Sequence, residues 1–328
     1  MVPGSSWSSS FWVTCGVLLL TTTTAASYAL YLSTFSNSQK KKKRISVAFL
    51  GNSIQYFNDS PRLVEAMLRD SGITVQQDSC LRPGASLAQL WAKGNGMRLK
   101  FSTPPARLSR GRYDIGAPTP TALLQFPKWD YVLFQDHTQH PTRPASRDET
   151  LNIFKDHFVP LLRQCQPGAT ILFLQTFAYR VPGLKSSQDL GNFDGFTDRL
   201  VEGYDIYAHH MRKAGFAVQI VPVGRAVQWL FKHRRHDLWE SLYSWDDFHP
   251  SPHGTWLQAC LIFLALTQGR VPPPKYNPLW WDECRYMQPP EEKPLPLPTV
   301  QEAEDLRQVA MMIHHAEAAR VKQTFTNK

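Results

Sequence analysis

The sequence lacks the cysteine patterns that mark disulfide-rich and zinc-binding proteins. Its 328 residues include only five cysteines, an odd number in which no two form a C-x-x-C pair. This spacing indicates neither a disulfide framework nor a zinc site, and it leaves the redox compartment open. We therefore expect mostly buried free thiols. The cysteines are Cys15, Cys80, Cys165, Cys260 and Cys284.

The body of the chain also lacks a strong charge imbalance. The formal net charge is +9, but residues 1–39 carry no charged side chain and the run Lys40–Arg44 supplies five positive charges. The rest of the chain is therefore only mildly basic, and no long basic stripe is interleaved with aromatic residues. Nucleic acid is not an expected partner. Hydrophobic residues make up 42% and charged residues 19%, which is typical of a folded globular protein.

The N-terminal region contains one long uncharged segment. Phe11–Leu32 is mostly apolar and has about the 20 residues that a bilayer core requires. The basic cluster 40–44 follows it, which favours a cytoplasmic side for the rest of the chain. We therefore expect residues 1–44 to be a single-pass membrane anchor or a targeting segment, and residues 45–328 to be the folded domain.

A cleaved targeting segment is the alternative for this region. Phe11–Leu20 would then be the apolar centre of a signal peptide, with cleavage near Ala25–Ser27. No Lys or Arg precedes the apolar segment, which argues against this interpretation. If it holds, the protein would be located in the secretory pathway or in an organelle.

Five short apolar runs predict the strands of the folded domain. Because the runs are continuous and separated by segments with helical spacing, they indicate a parallel sheet covered by helices on both faces. The predicted fold class is α/β, a three-layer α/β/α sandwich with a five-stranded parallel sheet. The runs are Ile45–Leu50, Ile73–Gln77, Tyr131–Phe134, Thr170–Leu174 and Ala217–Val223.

Helical patterns fill most of the segments between and after these runs. The predicted helices are Pro61–Asp70, Glu149–Arg163, Asp198–Lys213, one that begins at Ser251 and Pro252, and Val300–Thr324. Two segments fit less well. Residues 92–125 form a basic insertion rich in Gly and Pro, and residues 271–298 are proline-rich. We expect the aromatic residues of the second segment, Trp280, Trp281 and Tyr286, to dock on the domain.

Two polar motifs follow the first strand and precede the helix at residue 252. Gly51-Asn52-Ser53 can expose a serine hydroxyl on a sharp turn at the end of a buried strand. In Asp246-Asp247-Phe248-His249, a carboxylate three residues before a histidine can orient the imidazole and stabilise its protonated form. Asp247 is a second candidate for this role. Taken singly, the first motif is more typical of a simple helix-capping turn, and the second is more typical of a surface histidine in a proline-rich turn.

Taken together, the two motifs resemble the SGNH (GDSL-like) hydrolase superfamily. Its members carry a G-D/N-S serine after the first strand and a D-x-x-H motif near the C-terminus. One subgroup of the superfamily has the motif W-D-x-V-x-x-Q at the third strand, which Trp129–Gln135 resembles. The segment His249–Thr255, which precedes an apolar helix, matches that subgroup as well. The resemblance extends over residues 45–270. It implies a flavodoxin-like sheet and a triad of Ser53, His249 and Asp246.

The resemblance also implies an oxyanion hole, with one departure from the family pattern. Ser53 and Gly84 take the positions whose backbone N–H groups bind the oxyanion. The family's third block, G-x-N-D, is replaced by Gln135-Asp136-His137, which contains no Asn. His137 takes the Asn position without a gap, but the side-chain amide of Gln135 resembles that of Asn. We expect Gln135 to be the third donor, with His137 as the alternative.

The activity implied by the resemblance is that of a serine esterase. Such an enzyme hydrolyses an O-acyl ester, of an acetylated carbohydrate or of a lipid, through an acyl-serine and without a cofactor. Two alternatives remain open: an SGNH-fold protein that binds its ligand without turnover, and an acyltransferase. A metal is not expected. His249 and His253 are separated by helix-breaking prolines, and the pair His137 and His140 has no further ligand at metal-binding spacing.

Overall fold

Five parallel strands form the centre of the molecule, in the order β2-β1-β3-β4-β5. The first strand lies between β2 and β3, so the strand order reverses direction at this point, as in flavodoxin-like sheets. This arrangement confirms the predicted α/β fold class. The strands are β1 (Arg44–Gly51), β2 (Thr74–Leu81), β3 (Tyr131–Phe134), β4 (Thr170–Leu174) and β5 (Val218–Val221).

The computed structural model describes residues 44–97, 116–125, 127–181, 187–233, 235–284 and 295–326. The predicted anchor Phe11–Leu32, together with Cys15 and Tyr286, lies outside these residues. Within the described ranges, no helix has the length and apolar character needed to cross a membrane. Arg44–Lys328 is one compact unit, and it begins next to the boundary expected after residue 44.

Helices connect the strands and cover the sheet. They are α1 (Ser53–Tyr56), α2 (Ser60–Asp70), α3 (Leu87–Lys93), α4 (Pro120–Gln125), α5 (Pro144–Ile153), α6 (Val159–Cys165), α7 (Phe193–Lys213), α8 (Val223–Lys232), α9 (His236–Ser241), α10 (Pro252–Thr267), α11 (Trp281–Cys284) and α12 (Val300–Thr326). A π-helical turn, Phe154–Phe158, joins α5 to α6. Helices α2, α10 and α12 pack together on one side, while α3, α5 and α7 pack on the other.

Helix α10 is the centre of its layer, because every one of its residues is buried. Such a helix needs cover on all sides. Helix α12 provides part of it, and the Trp256 Nε1–H donates to the Ala303 carbonyl at 2.8 Å. The predicted C-terminal helix therefore belongs to the domain. Trp280 and Trp281 are buried as expected, and the Trp280 Nε1–H donates to Asp70 Oδ2 at 2.8 Å.

Several predicted boundaries were wrong. Strand β2 continues to Leu81, beyond the predicted end at Gln77, because its ladder with β1 runs on to the pair Gly51 and Leu81. Strand β5 ends at Val221, and Val223 already begins α8. Pro222 lies between them and cannot donate a ladder hydrogen bond.

Two predicted helices begin earlier than expected. Helix α5 begins at Pro144, and α7 begins at Phe193 after Asn192, whose side chain accepts from the Gly195 N–H. Proline at the first position and asparagine as the cap are both favoured helix starts.

The described residues of the 92–125 insertion lie against β2. The Asn95 side chain donates to the carbonyl of Ser79 in this strand and to that of Ala117 in the insertion.

Candidate active site

The serine turn follows β1 directly. Ser53 is the first residue of α1, and the Asn52 side chain caps this short helix by accepting from the Ile54 N–H at 3.1 Å. Gly51 is required here, because a Cβ at this position would collide with the side chains of Gln55 and Gln135. The close packing of these two side chains fixes the point at which the chain turns and places Ser53 at the carboxyl edge of the sheet.

His249 and Asp246 form a close pair in the loop before α10. The His249 Nδ1 lies 2.5 Å from Asp246 Oδ2, and Asp246 Oδ1 accepts from the His249 backbone N–H at 2.9 Å. Burial raises the pKa of Asp246, but the hydrogen bonds from His249 outweigh it and leave the pKa below its ordinary value. Because Nδ1 faces this carboxylate, the other ring nitrogen, Nε2, is free to accept a proton. It is buried and has no hydrogen-bond partner among the described residues.

Asp247 has a different role. Its backbone has a left-handed conformation (φ 66°), and its Oδ1 lies 2.5 Å from the Arg180 guanidinium. The Arg180 N–H also donates to the Asp247 carbonyl at 2.8 Å. This pair joins the loop after β4 to the histidine loop. Asp246, and not Asp247, is therefore the carboxylate that orients His249.

The histidine loop is held against the serine turn by the residues after α1. The Asn58 Nδ2 donates to the Pro250 carbonyl and to Thr255 Oγ1, both at 2.9 Å. The Phe57 ring stacks on the His249 imidazole, with 4.1 Å between ring centroids and 4° between ring planes. These contacts bring two motifs that are almost two hundred residues apart to the same edge of the sheet.

Ser53 and His249 line one cavity, which we call the candidate cavity. Its volume is about 450 Å³. The lining residues are Asn52, Ser53, Ile54, Tyr56, Pro83, Gly84, His137, Thr138, Gln139, Tyr179, Phe248 and His249.

No hydrogen bond joins Ser53 to His249 Nε2 in this structure. Burial raises the pKa of Tyr56, and a hydrogen bond with the Ser53 side chain opposes this rise. A catalytic hydrogen bond between a serine and a histidine is often long or poorly aligned when no substrate is bound.

Two backbone N–H groups at the candidate cavity are available to a ligand. Within the described part of the chain, neither the Ser53 N–H nor the Gly84 N–H donates a hydrogen bond to another protein group. Gly84 has a left-handed backbone (φ 61°), and no atom lies within 4 Å of the place where a Cβ would be. Both groups are therefore free to donate to a ligand in this cavity.

Gln135 and His137, the two candidates for a third donor, differ in orientation. Gln135 is fully buried; its Oε1 accepts from the Asn52 N–H at 2.9 Å, and its Nε2 donates to the Asp136 carbonyl. It does not line the candidate cavity. His137 does, and its Nδ1 accepts from the Gln139 N–H at 3.4 Å. The geometry therefore favours His137 over Gln135, because the Gln135 amide already has partners beneath the site.

Several residues that line the candidate cavity were not predicted from the sequence. Gln139 and Tyr179, which follow β3 and β4, are hydrogen-bonded to each other at 3.1 Å. Their positions after strand ends were a usable signal. Tyr56 carried no such signal. Phe248, which lies within the D-x-x-H motif, also lines the cavity. Trp245, which directly precedes Asp246, is 41% exposed beside Phe57.

The histidine pairs considered for a metal do not converge on one point. His249 faces Asp246, whereas His253 Nε2 lies 3.4 Å from Glu302 on α12. Across the described ranges, no group of three or more His, Cys, Asp or Glu side chains is arranged to hold a metal ion. The four described cysteines are free, and Cys80, Cys260 and Cys284 are buried.

Comparison with known proteins shows a shared fold at low sequence identity. No protein-family model matches the chain, and no curated protein sequence matches it. Among solved structures, a DUF4886 family protein from Bacteroides uniformis is similar with a TM-score of 0.58 and 18% identity, over 82% of this chain and 94% of that one. This likeness establishes the fold alone.

Two further solved structures are similar at lower scores. A carbohydrate esterase family 3 protein from Talaromyces cellulolyticus has a TM-score of 0.45 and 14% identity, over 68% of this chain and 97% of that one. A GDSL-like lipase from Bacteroides thetaiotaomicron has a TM-score of 0.36 and 13% identity, over 74% and 97% of the two chains.

Proposed function

We propose that this protein is a serine esterase of the SGNH (GDSL-like) type that hydrolyses an O-acyl ester. The observation that carries the proposal is the composition of one cavity. Ser53, Gly84 and a carboxylate-paired His249 line it; within the described ranges, the His249 Nε2 has no partner, and the backbone N–H groups of Ser53 and Gly84 are unbonded. A nucleophile, a base and oxyanion donors are the parts that acyl transfer needs.

The proposed reaction begins when the Ser53 hydroxyl comes within hydrogen-bonding reach of His249 Nε2, which has no partner in the described part of the chain. His249 Nε2 takes the hydroxyl proton as Ser53 Oγ attacks the ester carbonyl, and Asp246 stabilises the imidazolium. When the tetrahedral intermediate collapses, the bond to the alcohol oxygen breaks and His249 gives its proton to the leaving alcohol. Water then attacks the acyl-serine in the same way, which releases the acid and restores Ser53.

The proposed oxyanion hole consists of the N–H groups of Ser53 and Gly84 and the His137 imidazole. Burial, with a contribution from His140, lowers the pKa of His137, which keeps the ring neutral at pH 7. Its Nδ1 accepts from Gln139, which assigns the proton to Nε2. A neutral imidazole that donates to a developing oxyanion is chemically suited to this position.

The proposal is tested by turnover of p-nitrophenyl acetate by the full chain. We expect Ser53→Ala to lower kcat by about 10⁴-fold or more. Equal turnover by the wild-type protein and Ser53→Ala would refute the esterase proposal and favour the alternative that the protein binds its ligand without turnover. Adding an alcohol acceptor extends the test, because a second ester product in place of the free acid would identify an acyltransferase.

The substrate proposal extends only to the O-acyl ester. Both an acetylated carbohydrate and a lipid ester satisfy the proposed chemistry. A series of p-nitrophenyl esters from acetate to palmitate separates them, because a maximum kcat/KM at acetate favours a carbohydrate acetate and a maximum at long chains favours a lipid.

Membrane anchoring through residues 1–44 is a separate proposal, supported by the uncharged segment Phe11–Leu32 and its basic flank. Alkaline carbonate extraction of membranes from cells that express the full chain tests it. Retention in the membrane at full mass is expected. A soluble product that begins near Ala25–Ser27 would favour cleaved targeting.

A further inference from the structure

Asp136 is a buried carboxylate that the proposed mechanism does not use. It lies immediately after β3, between Gln135 and His137, and its exposed fraction is 0%. No lysine, arginine or histidine in the described ranges forms an ion pair with it. A carboxylate without a cation needs several hydrogen-bond donors to remain buried.

Four donors surround Asp136, two at each oxygen. Oδ1 accepts from the backbone N–H of Leu87 at 2.9 Å and from that of His137 at 2.8 Å. Oδ2 accepts from Thr150 Oγ1 at 2.7 Å and from the Tyr207 hydroxyl at 2.9 Å. The two oxygens thus have different partners: backbone groups of two loops at Oδ1, and side chains of α5 and α7 at Oδ2.

The loops joined by Oδ1 are those that carry the proposed oxyanion donors. Leu87 is the first residue of α3, and the Ser86 capping box that starts this helix immediately follows the Gly84 turn. His137 presents its imidazole to the candidate cavity. A single oxygen atom therefore fixes the spacing between the loop of Gly84 and the loop of His137.

We propose that Asp136 is a positioning residue that holds Gly84 and His137 at the separation an oxyanion requires. The catalytic part of this proposal rests on the proposed function. The contact itself, in which the two loops share Asp136 Oδ1 as an acceptor, does not depend on that function, and we call it the clamp. Oxyanion donors are effective when they lie 2.7–3.1 Å from the oxygen, a range only about 0.4 Å wide. Without Asp136, the two loops lose their shared acceptor and the donors can drift apart.

Asn is the conservative replacement that should preserve the clamp. An Asn carbonyl oxygen can accept from both backbone N–H groups, while its NH₂ donates to the hydroxyls of Thr150 and Tyr207, which can also act as acceptors. Asp136→Ala removes all four hydrogen bonds. Tyr207→Phe removes one hydrogen bond at Oδ2 and leaves Oδ1 intact, so it is the matched control for loss of stability alone.

The kinetic test uses the full chain, with active sites counted by fluorophosphonate labelling and thermal unfolding measured in parallel. For Asp136→Ala we expect kcat per labelled site to fall about 10²-fold with KM little changed. Asp136→Asn should retain kcat within about 5-fold, and Tyr207→Phe should lower the Tm with kcat near wild type. If Asp136→Ala does not fold, Asp136→Ser replaces it, since its shorter side chain does not reach both N–H groups. Equal kcat in Asp136→Ala and Tyr207→Phe would overturn the proposal.

Amide hydrogen exchange tests the clamp without relying on turnover. Exchange in residues 84–87 and 135–138 should be faster in Asp136→Ala than in wild type, and unchanged in Asp136→Asn and Tyr207→Phe. Unchanged exchange in Asp136→Ala would refute the clamp. Absence of Ser53-dependent turnover in the wild type, with the expected exchange pattern, would instead refute the esterase function and leave the clamp as a property of the ligand-binding site.

Discussion

The Phe57 ring and the His249 imidazole lie parallel, with their centroids 4.1 Å apart. In this position Phe57 restricts rotation of the imidazole, and its ring face lies against the imidazolium that the proposed mechanism requires. An aromatic face near a cation contributes about 0.5–2 kcal/mol. We therefore expect the contact to affect the rate of the proposed reaction as well as the packing.

Replacement of Phe57 should slow the reaction. We expect Phe57→Ala to lower kcat by about 10-fold, the rate equivalent of about 1.4 kcal/mol. Phe57→Tyr is the matched control, because it keeps the stacked ring and should remain within about 3-fold of wild type. Steady-state kinetics on p-nitrophenyl acetate measures both. A kcat of Phe57→Ala equal to that of Phe57→Tyr would contradict the role of the ring.

The two adjacent aspartates of the histidine loop provide a second test. Asp246→Asn should lower kcat by about 10⁴-fold, because an amide at this position no longer fixes the tautomer or stabilises the imidazolium. Asp247→Asn breaks the pair with Arg180 but suits the left-handed backbone, so its kcat should fall far less. Similar losses in the two variants would mean that the loop conformation, and not the Asp246 contact, sets the rate.

The choice of third oxyanion donor is tested by His137 variants. His137→Ala should lower kcat by about 10²–10³-fold and leave KM nearly unchanged, because the imidazole acts on the transition state. His137→Asn, which supplies an amide donor on a shorter side chain, should recover part of the loss. A His137→Ala enzyme with wild-type kcat would remove the imidazole from the oxyanion hole.

Acidification should destabilise the fold before the carboxylates titrate. Burial lowers the pKa of both His137 and His253 below the ordinary value of 6.5, and His210 and His314 shift in the same direction. In the unfolded chain these groups bind protons near pH 6.5, whereas in the folded protein they bind them only at lower pH. The unfolded state therefore holds more protons between these limits, and stability falls as the pH decreases below 6.5.

Differential scanning fluorimetry between pH 7.5 and pH 5.5 measures this effect. The Tm of the wild type should decrease over this range. His253→Gln removes one of the titrating groups and should show a smaller decrease. If the Tm of His253→Gln decreased as steeply with falling pH as that of the wild type, the titration of His253 would not contribute to the acid sensitivity, which would contradict this prediction.

The sheet was predictable because its signal is local. Buried parallel strands appear in the sequence as apolar runs, and all five runs became strands. Strand β2 was predicted too short, because Asp78 and Ser79 look like loop residues although they pair with β1. Helix α8 was missed because Val223 completed an apparent strand. At β2, pairing with a distant segment overrode the local pattern, whereas β5 ends because Pro222 cannot donate a ladder hydrogen bond.

The site was predictable only as far as its motifs. Residue spacing led to Asp246 as the partner of His249, but Asp247 could be set aside only from its contact with Arg180, a residue that lies 67 positions away. The direction of the Gln135 side chain depends on Asn52, which no pattern in the segment 129–137 contains. The contacts of Asp136 and the stacking of Phe57 on His249 likewise depend on packing between distant loops.

Peptide mapping after fluorophosphonate labelling tests the central claim most directly, because covalent capture requires an activated serine. The full chain should carry one adduct, on the peptide that contains Ser53, and His249→Ala should lose it while remaining folded. An unlabelled wild-type protein, or equal labelling of the wild type and His249→Ala, would contradict the proposal that Ser53 is a nucleophile activated by His249.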